Sequence, residues 1–186
     1  MKNAFNQRID LQSPDYTLVN QAIFELTNKE RLAHDLTAFT HNSQLETAAW
    51  YHSKSMGQRN FFDHINNRER MRKEPSDRAR LAGVKNPMIS ENIAYVAGYR
   101  FSDYYDLAAH FVDGWMNSPP HRKNLLSPDA LQLGCGVYYY KGVYLKNNQI
   151  HHQGDGSWIA TQNFQLYRPV VPGKARDRRP DVKEIL

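Results

Sequence analysis

The sequence predicts an α+β domain in which helices are layered on a small antiparallel sheet. Three observations predict it. Apolar residues recur at helical spacing from residue 17 onward. β-rich apolar runs gather late, after Leu126. The helical and strand segments come as blocks, helices first, whereas a parallel sheet would alternate strands with crossover helices. The chain has 186 residues, of which 40% are apolar and 12% aromatic, enough for one ordinary core with room for tails.

Residues 1–16 lack periodicity and read as an extended N-terminal lead-in. Leu18, Ala22, Ile23 and Leu26 then mark a first helix over 17–35, with Arg31 near its end, where a cation suits the helix dipole. A second helix covers 43–58. Ser43 and Glu46 have capping-box spacing, and Leu45, Ala48, Ala49, His52 and Met56 share one face. His52 on that stripe reads as a packed, hydrogen-bonded core histidine. Phe61 and Phe62 anchor the next segment and leave His64 in a loop or short turn.

Residues 68–80 carry six bases and three acids, with a short helix from Pro75 to Leu81 and Gly83 as its stop. Ser90 to Tyr95 reads as a short strand. Glu91 there stands beside apolar residues and is either solvated or deliberately placed, because burying it unpaired is costly. Ser102 or Asp103 caps the next helix.

The stretch from Leu107 to Leu126 organises the chain. Leu107, Ala108, Phe111, Val112, Trp115 and Met116 form a helical stripe. Ser118-Pro119-Pro120 reads as its stop, since proline lacks an N–H and disfavours helix before it. His121 is thereby expected at a fixed turn, either capping it or aimed into a cleft. His110 falls on the edge of the stripe. Strands follow at 131–140 and 157–167, with Ile150 in a further one and turns at Gly142, Asn147-Asn148 and Gly154-Asp155-Gly156. Cys135 between two glycines reads as a core thiol. The adjacent pair His151-His152 would point to opposite faces of a strand, which disfavours joint chelation.

Composition removes several function classes. No apolar run approaches the roughly 20 residues of a membrane span, so no transmembrane segment is expected. The first residues hold no apolar signal core, so the numbering starts in a cytoplasmic protein or after a removed leader. A single cysteine excludes an internal disulfide and a cysteine-based zinc site. The net charge is +5, but its excess lies in 68–80 and in a basic C-terminal tail, 168–186, with six bases against three acids. That is solvated charge, unlike the basic face of a nucleic-acid binder, and no nucleic-acid partner is expected. GxSxG, P-loop, HExxH and strand-linked GxGxxG patterns are absent.

The remaining candidates are His64, Glu91, Ser118 and His121, and with them a resemblance appears. Leu26 to Arg31 and the set Leu45, Ala48, Ala49, His52, Ser53 and Met56 resemble two family helices. Phe62-Asp63-His64, Glu91-Asn92-Ile93, the run from Trp115 to Leu126, Leu133 to Val137, and Thr161 to Phe164 follow in order. Over residues 17–167 the chain is similar to bacterial members of the CAP superfamily, the SCP-like or cysteine-rich secretory protein family. The resemblance implies a three-layer α-β-α sandwich around a small antiparallel sheet. It implies a cleft with His64, His121 and Glu91, where Ser118 replaces the second acid of animal and plant members. It also implies zinc held by His64 and His121, as in some relatives, and a secreted or cell-envelope location.

Three functions are compatible with these residues. The favoured one is a non-enzymatic binding module for a divalent metal, a lipid or a small polar ligand. The second is a metal-dependent or Ser118/His121 hydrolase of peptide or cell-wall material. The third is a protein-interaction domain without cleft chemistry.

Overall fold

The computed structural model describes residues 2–98, 100–142, 144–146, 149–152 and 156–167, with backbone alone at 2–3, 144–146 and 149–152. The basic tail at 168–186, the turns at 147–148 and 154–155, and the His151 and His152 side chains lie outside the described residues.

The elements run α1 (Lys2–Phe5), α2 (Tyr16–Ala33), β1 (Thr40–His41), α3 (Ser43–Arg59), a 3-10 turn at Arg70–Arg72, α4 (Pro75–Leu81) and β2 (Ile89–Ala97). Then come α5 (Tyr104–Met116), α6 (Pro119–Leu125), β3 (Ala130–Tyr140), β4 (Tyr144–Lys146), β5 (Gln149–His152) and β6 (Ser157–Leu166). The main sheet has the order β1-β3-β6-β2. Its three long strands are antiparallel, as expected, but the two-residue β1 pairs parallel to β3, so the sheet is mixed. β4 and β5 form a separate hairpin.

Strand alternation sorts the layers. Leu133, Cys135 and Val137 on β3 join the main core with Val19, Ala22 and Ile23 of α2 and Leu107 and Phe111 of α5. Gly134 and Gly136 point the other way, onto α3. A Cβ at Gly136 would collide with the Trp50 backbone, so the missing side chain lets helix and sheet approach at backbone distance. Helices thus cover both sheet faces, an α-β-α arrangement.

Several local expectations are corrected. The lead-in is not simply extended, because it holds α1, and Phe5 is buried in the main core. Asn42, not Ser43, caps α3, accepting from the N–H groups of Gln44 and Leu45. Glu46 pairs with His41 instead. Arg31 does more than face a dipole. It is buried and donates to the carbonyls of Thr37, Leu125 and Ser127, with its guanidinium over the Phe39 ring. The prolines after Ser118 open a helix. Pro119 and Pro120 occupy the first turn of α6, where their missing N–H groups would have no helical acceptor anyway. His121 therefore sits on α6, not in a turn. Asp103 caps α5, and Gly83 (φ 99°) follows α4 as expected.

Candidate functional site

Two adjacent residues of β2 build the site. Glu91 points toward α3 and Asn92 toward the opposite layer, as neighbours on a strand must. Both lie on the edge strand of the sheet.

Glu91 is almost completely buried, with 2% of its side chain exposed. Its Oε1 accepts from His64 Nδ1 at 2.9 Å and lies 3.7 Å from His52 Nε2. Its Oε2 accepts from Arg78 Nη2 at 2.8 Å, and the Asn163 amide nitrogen faces the same oxygen at 3.0 Å. A buried carboxylate with this many donors is stable as an anion. Burial alone would raise its pKa, but His52, His64 and Arg78 outweigh burial and hold it below the usual carboxylate range. Burial, the largest influence on His52, pushes that imidazole down to about 4. At neutral pH His52 is therefore uncharged, and the Arg78 guanidinium supplies the fixed compensating charge.

His52 is fully buried. Its Nε2 donates to the Asp63 carbonyl at 3.0 Å, which leaves Nδ1 as a buried nitrogen without a partner among the described residues. The core role expected for His52 holds, and it also touches the Glu91 carboxylate.

Asn92 serves the other histidine. Its Nδ2 donates to the His121 carbonyl at 3.1 Å and to Gln162 Oε1 at 3.3 Å, while its Oδ1 accepts from Asn124 at 2.8 Å. Gln162 in turn donates to Thr27 Oγ1 at 2.8 Å. A buried chain of amides thus pins α6 to the sheet and to α2. Two side chains also reach the outer edge of β2, Trp115 Nε1 to the Ile93 carbonyl and Asn124 Nδ2 to the Glu91 carbonyl, each at 3.3 Å.

Beside this edge lies a cleft of about 380 Å³ whose lining includes Phe62, Ile93, Tyr95, Trp115, Ser118 and His121. His110, expected on the helix edge, also lines it. His64 and Glu91 do not. His64 is half-exposed, and Glu91 is buried beneath it at hydrogen-bond distance. The two candidate histidines still sense each other. Burial and the charge of His64 lower the His121 pKa, whereas the hydrogen bond to Glu91 raises that of His64 against the effect of burial. Ser118 caps α6 without a side-chain bond to the helix, and its hydroxyl makes no hydrogen bond to His121 among the described residues.

Sequence reasoning missed Arg78 and Asn163. Arg78 sits in the charged run read as solvated, yet it is 2% exposed. The available signal was one-sided: a carboxylate at Glu91 in an apolar strand demands a cation from somewhere. Cys135 is a buried thiol, as expected, and burial raises its pKa well above the ordinary value.

The donors fit a metal only in part. His64 commits Nδ1 to Glu91 and retains Nε2, the arrangement in which a carboxylate orients a metal-binding imidazole. Glu91 itself has both oxygens occupied. Among the described residues, no group of three or more His, Cys, Asp or Glu side chains is placed to hold an ion.

A mixed sheet between helical layers, with this Glu-Asn pair on its edge strand, defines a CAP domain, and residues 24–164 match the CAP (cysteine-rich secretory protein) family, to which the chain belongs. Among relatives, it is 34% identical over 132 residues to the uncharacterized membrane protein YlbC of Bacillus subtilis (strain 168), covering 70% of this chain and 35% of YlbC. An extracellular protein containing an SCP domain from Bacillus anthracis str. Ames is 29% identical with a TM-score of 0.60, over 82% of this chain and 41% of that one. An outer surface protein from Borrelia burgdorferi shares the fold at 17% identity and a TM-score of 0.59, over 87% and 98% of the two chains. The chain thus spans well under half the length of the first two. Among the described residues, no helix is long and apolar enough to cross a membrane.

Proposed function

We propose that this domain is a binding module whose cleft takes a small amphipathic ligand, such as a lipid, with its apolar body on Phe62, Tyr95 and Trp115 and its polar head at the histidines. The observation that carries this is an aromatic-lined cleft with the His110 and His121 imidazoles on its wall, a usual composition for small-molecule sites. Zinc bound by His64 and His121 would supply a positive centre for an anionic head. The secreted or envelope location is supported by the extracellular and outer-surface descriptions of the two structural relatives.

A hydrolase is the second reading, favoured by one observation. The two imidazoles have pKa values shifted in opposite directions, the pattern of an acid and base pair. The missing Ser118–His121 bond leaves that pair without an aligned nucleophile.

Calorimetric titration of the protein with dodecanoate, and separately with zinc, tests the proposal. Saturable dodecanoate binding, weakened at least tenfold in Trp115→Ala and in His121→Ala, is the expected result. Zinc binding lost in both His64→Ala and His121→Ala would assign the metal. Binding of neither probe would overturn the module reading and leave protein interaction in its place.

A further inference from the structure

We infer that Arg78 is a positioning residue that, through Glu91, decides which nitrogen His64 leaves open to a ligand. The inference rests on the site proposed above and adds to it the residue that sets its orientation.

The geometry is a closed ring. Arg78 Nη2 donates to the His64 carbonyl at 3.0 Å and to Glu91 Oε2 at 2.8 Å, and Glu91 Oε1 returns to His64 Nδ1 at 2.9 Å. Arg78 thus holds the backbone of His64 directly and its ring through the carboxylate. The other end of the fork is equally committed. Nη1 donates to the carbonyls of Lys73 at 2.9 Å and Arg72 at 3.2 Å. Four acceptors on three chain segments converge on one buried guanidinium. Only a planar fork reaches them together, because a lysine ammonium is a single point charge.

The consequence falls on the tautomer. A carboxylate only accepts, so the short contact to Glu91 requires a proton on Nδ1 of His64. When the ring is neutral, Nε2 then carries the lone pair and stands ready to accept a proton or bind a cation. Free neutral imidazole side chains in water favour the opposite tautomer. Glu91 can impose this one only while Oε1 stays in place, and Arg78 on Oε2 holds the carboxylate there. The other charged or titratable groups near His64 are Asp63, His52 and His121. None of them bridges the His64 backbone and the carboxylate.

The test is a long-range proton–nitrogen spectrum of histidine-labelled, ligand-free full chain at alkaline pH, where the imidazoles are neutral. Native protein is expected to show His64 with its proton on Nδ1. Arg78→Lys keeps the charge and loses the fork, and it is expected to move the majority of the proton to Nε2 with the backbone amide spectrum otherwise preserved. Retention of the Nδ1–H form in a folded Arg78→Lys protein would overturn the inference. A measurement on the native protein stands beside it in case the variant fails to fold. The Arg78 guanidinium should give separate, slowly exchanging Nη signals, and a single averaged signal would equally overturn the inference. Neither readout involves dodecanoate or zinc, so failure of the binding proposal and failure of this one are told apart.

Discussion

Glu91 and Asn92 are consecutive residues that each govern one histidine from opposite faces of a single strand. Glu91 accepts from the His64 ring at 2.9 Å, and Asn92 donates to the His121 carbonyl at 3.1 Å. The pleat of β2, a rigid element, therefore anchors both the His64 ring and the His121 backbone.

Loss of Asn92 should be felt in stability as well as in binding. Asn92→Ala removes the shared partner of Gln162, Asn124 and the His121 carbonyl. A buried polar group left unsatisfied costs about 1–3 kcal/mol. Urea unfolding at neutral pH is expected to show a loss at the upper end of that range. A change below about 0.5 kcal/mol, the scatter of a surface substitution, would mean the network is not stabilising.

Arg78→Met removes the buried cation and strands a carboxylate. Breaking one side of a buried ion pair costs about 3–5 kcal/mol. The deficit should shrink as pH falls, because protonating Glu91 relieves the variant more than the native protein. Thermal melts at pH 8 and pH 5 check this, and an equal deficit at both would contradict it.

His52 predicts an acid limb. Its pKa drops from 6.5 in the unfolded chain to about 4 in the fold, so between these values the unfolded chain binds a proton that the folded one does not. Stability therefore falls as pH falls through that window, by roughly 3 kcal/mol from this residue. His64 has the opposite sign: its raised pKa gives a contribution complete below 6.5 and lost as pH rises through the folded value. The depressed Glu91 pKa contributes above 4.5, and that contribution is lost as pH falls through its folded value. His52→Gln keeps a donor for Asp63 and should flatten the slope between pH 6.5 and about 4. An unchanged slope in denaturant titrations would reject the assignment.

Gly136→Ala tests the seating of α3. The added methyl meets the Trp50 backbone nitrogen and Cα, neither of which can rotate away. Overpacking costs about 1–3 kcal/mol, and collision with backbone belongs at or above the top of that range. The melting temperature should fall markedly, because α3 and β3 can no longer meet at backbone distance, and an unchanged melting temperature would reject this seating.

Much of this was legible in the sequence, and the omissions share a cause. Helical stripes located α2, α3 and α5, and β-rich runs located β3 and β6, because one-sided burial imposes a period. Glu91 stood out because an acid inside an apolar strand needs an explanation. Its partner Arg78 did not, since in a run of alternating charges one buried guanidinium looks like its solvated neighbours. Arg31 was hard to read in the same way: two of its three carbonyl acceptors, on Leu125 and Ser127, are brought near only by folding. The prolines after Ser118 were ambiguous in principle, because the residue that stops one helix is well suited to start the next.

The side chains of Trp115 and Asn124 on the outer carbonyls of β2 also bear on how copies of this domain meet. An uncovered strand edge is a template on which another chain can add a strand. Here an indole and an amide from α5 and α6 occupy the acceptors at Ile93 and Glu91, while on the far side β1 pairs with Gln132 and Leu133 of β3, and Asn20 and Tyr16 of α2 accept from the Val137 and Tyr139 N–H groups beyond it. Side chains from the helices thus stand on both margins where another chain would pair, which disfavours strand-by-strand addition.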